Sequence, residues 1–172
     1  RDGGVFRFAA AIVWALALAV TAYLTLDAWT TGPLLTSGPG LALLAFTAAN
    51  AVSAGVTGRD DATGGALRTL FGSAAVLAGA VFVSREALVA VEQWQPSFAA
   101  IAAGPAYVAA MVLSVYALGA YAIGLGVRET PVRFSAVAVA AVALATAVLA
   151  SVGAGVYDAA PFGNIRFAAF AV

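Results

Sequence analysis

Charges along this chain fall in clusters, and long uncharged stretches separate them. Positions 8–26 carry no charge and are bounded by Arg7 and Asp27. At ~1.5 Å rise per residue, a helix of that length crosses the ~30 Å hydrocarbon core of a bilayer. Similar runs recur along the chain and predict five spans, at about 5–26, 41–57, 66–84, 105–126 and 134–157. The expected fold class is therefore all-α, an integral membrane helical bundle of about five transmembrane helices forming one domain over 1–172. The last span is mostly Ala and Val, an alternation that in water suggests a strand. In lipid a lone strand would leave its backbone groups unpaired, so a helix is expected there too.

The breaks between spans have local signatures. Gly32-Pro33 and Gly38-Pro39-Gly40 mark a loop over 30–40, with Leu34 and Leu35 expected at the interface. A polar, Gly-flanked turn covers 58–65, where Thr63 or Asp61 is placed to cap the following helix. No Pro or Gly interrupts 80–94, so the third helix is free to continue past the membrane surface until Gln93-Trp94-Gln95-Pro96 ends it. Gly104-Pro105 divides the uncharged stretch 97–127 into an interfacial piece, 98–103, and a crossing. Pro105 suits the first turn of that crossing, where a missing N–H leaves no bond unmade. One tilted, kinked helix is the alternative. Tyr23 and Trp29 suit the headgroup zone beside the first span.

Alternating sides along this topology sorts the basic residues. Arg1, Arg7, Arg59, Arg68, Arg128 and Arg133 fall on one side, and Arg85 and Arg166 on the other. The positive-inside rule then predicts N-in, C-out. The chain begins at Arg1 rather than Met and ends on an apolar run, so trimming at either end and a further helix are both open.

Composition agrees with the pattern and narrows the chemistry. The chain is 63% hydrophobic and 9% charged, with mean hydropathy +1.01, against about 25% charged residues in soluble domains. It contains no Cys, His or Lys. That removes disulfides, thiolate nucleophiles, the commonest metal and haem ligands, the usual acid–base group and Schiff-base attachment. No metal site, catalytic residue or attached cofactor is evident, although bound lipid, quinone or carotenoid stays open. Basic residues without Lys fit a GC-rich genome, and a prokaryotic cytoplasmic membrane is the expected location. Zero net charge and the absence of a basic run give no sign of nucleic-acid binding.

Few residues remain as candidates for a role. Asn50 is the strongly polar group nearest a span centre, and Thr47 and Ser53 share its helix face. This polar intramembrane patch either lines a small pocket or pore or supplies an interhelical hydrogen bond worth ~0.6–2 kcal/mol. Small residues Gly72, Ser73, Gly79 and Ala80 in the third span suit close helix packing. So do Ala120 and Gly124 in the fourth, and Ser151 and Gly155 in the fifth, within the chain or against partners. Asp60 and Asp61 read as a solvated turn, since calcium wants six to eight oxygens. Tyr107, Tyr116 and Tyr121 read as packing or lipid-facing groups, or as the walls of an apolar cofactor site. Asp27, Arg68, Arg85, Glu86 and Asp158 fall at predicted span ends, where they are expected to reach water. A charge relay through the membrane is therefore not expected.

The reading that follows is a non-catalytic integral membrane subunit, packed against other membrane subunits or itself and surrounded by lipid. The alternatives are a small channel or facilitator lined by hydroxyl and amide groups, and an interfacial lipid-modifying enzyme.

Overall fold

The computed structural model describes residues 14–19, 33–57, 62–94 and 104–153. Every regular element among them is helical. A short helical segment, 14–19, precedes four long helices: α1 (Gly38–Val56), α2 (Ala62–Trp94), α3 (Gly104–Gly126) and α4 (Thr130–Gly153). Each of the four is long and apolar enough to cross a membrane. Most of the first expected span, the interfacial piece 98–103 and the last residues of the fifth span lie outside the described residues.

Helix starts differ from the expected boundaries for one physical reason. Ser37 caps α1 in an extended conformation (φ −98°, ψ 150°), and its Oγ accepts from the Gly40 N–H at 3.0 Å. Pro39 sits in the first turn, where its missing N–H is harmless. What reads as a breaker is a start signal, and α1 begins at Gly38 rather than 41. Pro131 likewise lies in the first turn of α4, which begins at Thr130 rather than 134. Thr63 lies within the first turn of α2 rather than capping it.

Helix α2 is the centre of the bundle. It contacts α1, α3 and α4, whereas α1 contacts only α2 among the four long helices. The most extensive contact joins α3 and α4, consecutive helices linked by a short turn. Their seam is built from small side chains. Val76 and Ala80 of α2 meet Ala117 and Ala120 of α3 and Ala136 and Val139 of α4. Toward the other end, Tyr107 and Ala110 pack on Ala147 and Ala150. With so little side chain between them, the backbones approach closely and gain dispersion contacts along the whole seam.

Large apolar side chains lie outside. Phe134 is 73% exposed and Leu149 72%, and Leu118, Ile123 and Leu144 are also exposed. Small residues within and large apolar ones without suit a molecule whose surroundings are hydrocarbon. In water, such a surface would be an aggregation liability.

The loop before α1 folds inward. Leu34 is fully buried (0% exposed) with Leu43, Ala78 and Phe82, while its neighbour Leu35 is exposed. Gly40 permits this: a Cβ there would collide with the Leu34 carbonyl. Only Leu35 thus keeps the outward place expected for the pair.

Candidate functional site

In a chain without His, Cys or Lys, any site must be assembled from hydroxyls, amides, Arg and carboxylates. The structure gathers these groups at three levels of the bundle.

At mid-height, Asn50 is 3% exposed on α1. Its Nδ2 donates to the Phe46 carbonyl at 2.8 Å, and its Oδ1 accepts from Trp14 Nε1 at 2.8 Å. The Trp14 ring also contacts Phe46, at a centroid distance of 6.2 Å. An amide that would be costly in hydrocarbon is thus engaged at both ends, and one bond ties segment 14–19 to α1. Thr47 Oγ1 donates back to the Leu43 carbonyl at 2.8 Å. The Ser53 carbonyl receives both the N–H of Thr57, at 3.0 Å, and its hydroxyl, at 2.6 Å. The three residues share a helix, as expected, but the bonds made by Thr47 and Asn50 run along the helix or to Trp14.

Between α2 and α3, the Tyr116 hydroxyl donates to the Val76 carbonyl at 2.9 Å. Gly79 makes room for it, since a Cβ at Gly79 would overlap the hydroxyl and lie 3.2 Å from Tyr116 Cζ. Between α3 and α4, the Tyr107 hydroxyl lies 3.0 Å from Ser151 Oγ. Ser151 uses its own proton on the Ala147 carbonyl at 2.8 Å, so Tyr107 is the donor. Tyr121, by contrast, is exposed.

The small residues are used within the chain. Gly72 lies where Val132 and Ala54 approach, so α1, α2 and α4 converge there. Ala120 belongs to the main seam. Gly124 admits the stem of Arg133, whose Cγ would lie 2.8 Å from a Cβ. Gly155 is outside the described residues, as are Arg59, Asp60, Asp61, Asp27 and Asp158.

At one end of the bundle, Arg68 joins three elements. Its Nη1 donates to the Thr57 carbonyl at the end of α1 at 3.0 Å. Its Nη2 meets Glu129 Oε1, in the α3–α4 turn, at 2.5 Å. The turn follows a two-bond helix ending: Arg128 N–H reaches the Leu125 carbonyl at 3.2 Å, and Glu129 N–H the Gly124 carbonyl at 2.8 Å. Arg128 takes the left-handed position, at φ 57°. Glycine usually occupies that place, so residue type alone gave no signal for the turn.

At the opposite end of α2, Glu86 Oε1 accepts from the Leu35 N–H at 2.8 Å, which pins the loop before α1. Arg85 departs from expectation. It is 6% exposed, within an unbroken helix beside buried Ser84, rather than a water-reaching end group. Arg68 is also largely covered. The two arginines are about 25 Å apart along α2, and each is largely drawn into the protein.

No protein-family model matches the chain, and no curated protein or solved structure resembles it significantly.

Proposed function

We propose that this chain is a non-catalytic, multi-pass membrane subunit that acts by packing, against partner subunits or its own copies. The observation that carries this reading is how the polar side chains inside the helices are engaged. Asn50, Tyr107, Tyr116 and Ser151 bond across or along helices and hold the bundle together. The place for a partner is the rim helix α1. It rests on α2 alone among the long helices and exposes Leu41, Leu44, Val52 and Val56. Among the described residues none crowds Gly55 on the same helix, so another helix has room to approach its backbone.

The test is the mass of the particle extracted from native membranes in mild detergent, beside that of the chain expressed alone. A defined assembly, hetero-oligomeric or homo-oligomeric, supports the reading. A monomer from both sources contradicts it.

A further inference from the structure

The α3–α4 turn carries three charged residues in close succession, Arg128, Glu129 and Arg133, and the fold separates them by sign. Glu129 is turned inward onto Arg68, its side chain 12% exposed. The two arginines are not drawn onto Glu129, and Arg133 is half-buried. Arg128 is exposed, and among the described residues neither arginine forms an ion pair. The Arg133 stem lies in the notch at Gly124, and its Nη2 bonds only a neutral hydroxyl, Thr130 Oγ1, at 2.9 Å. Arg133 Nε is buried without a hydrogen-bond partner. Positive charge is therefore concentrated at the tip of a hairpin, with its one carboxylate withdrawn. The flanking helix ends present an apolar wall beside that tip: Ile123, Val127, Phe134 and Val137 are all exposed.

We propose that this hairpin tip binds an anionic phospholipid, its phosphate against Arg128 and Arg133 and its acyl chains along the exposed apolar residues beside the turn. Charge complementarity selects the headgroup. The adjoining wall selects a lipid over a soluble phosphate, because only the lipid brings chains to cover it. The two arginines need not be equivalent: Arg133 is positioned by Gly124 and Thr130, whereas Arg128 reaches out from a left-handed residue. The proposal requires the bundle to sit in a membrane and is independent of whether it has protein partners.

The experiment uses the full chain in neutral detergent, offered equal amounts of phosphatidylglycerol and phosphatidylcholine, with retained lipid read by native mass spectrometry. Wild type should retain phosphatidylglycerol in preference. Each of Arg128→Gln and Arg133→Gln should reduce that preference about fivefold, and the pair about thirtyfold. The Arg128→Lys/Arg133→Lys protein should keep most of it. Glycerol phosphate at equal concentration should not displace the lipid. The single Arg128→Gln variant alters an exposed side chain and keeps the test informative if the double variant folds poorly. The proposal is overturned by a wild type without preference, by an Arg128→Gln protein that keeps the full preference, or by displacement with glycerol phosphate.

Discussion

A hydrogen bond inside hydrocarbon has no water to replace it, so the consequences of single substitutions here follow from which bonds each side chain makes. Asn50→Leu removes two bonds and leaves the Trp14 N–H without its acceptor. Thermal unfolding in detergent should show a loss of ~1–2 kcal/mol. Trp14→Phe keeps a ring beside Phe46 and loses only the bond to Asn50. A double-mutant cycle between Trp14 and Asn50 should therefore give a coupling of ~0.6–2 kcal/mol, and additive losses would show that the bond holds nothing. The two glycines Gly79 and Gly55 make an internal contrast. Gly79→Leu would drive a side chain into Tyr116 and should cost ~1–3 kcal/mol or more. Gly55→Leu has open space and should leave the melting temperature of the isolated chain unchanged or higher, while weakening any assembly through α1. Asn50 was legible in the sequence as a polar group needing partners. Trp14 was not, because nothing in the pattern of a span says which neighbouring ring will turn toward it.

At the scale of elements, the cores of the spans were readable and their starts were not. A charge-free run of about 20 residues announces a crossing by length alone. Where a helix begins depends on one capping side chain and on whether a proline falls in the first turn. Pro105 is expected in a first turn, and it directly follows Gly104, the first described residue of α3. Pro39 and Pro131 lie in first turns, though Pro39, between glycines, reads as a breaker. The end-of-bundle clamp was also hidden, since Arg68 and Glu129 are far apart in sequence and only the fold brings them together. Glu129→Gln should lower stability by ~1–3 kcal/mol, because Arg68 would keep a covered charge without its counter-ion. Arg128→Gly should act in the opposite direction. Glycine adopts φ 57° without strain, so in phosphatidylcholine the variant should melt higher, by up to about 1 kcal/mol. A lower melting temperature there would mean that the Arg128 side chain contributes more than its backbone costs.

For the whole molecule, the arrangement is a central α2 with α1 on one side and the α3–α4 hairpin on the other. Small residues fill the seams and large apolar ones face outward. The small-residue steps that suggested partner contacts are largely occupied within the chain. Assembly through the packing faces then has to use surfaces such as the outer side of α1. The buried Arg85 and the Arg68–Glu129 clamp lie toward opposite ends of α2. All of this presumes that the helices cross a membrane rather than lie along it. Site-directed labelling tests that most directly, with single cysteines placed at the exposed positions Leu35, before α1, and Thr130, at the start of α4. Intact and permeabilised cells are treated with a membrane-impermeant maleimide. The account predicts that the cysteine at 35 reacts from outside and the one at 130 only from the cytoplasm. Labelling of both from the same side would contradict it.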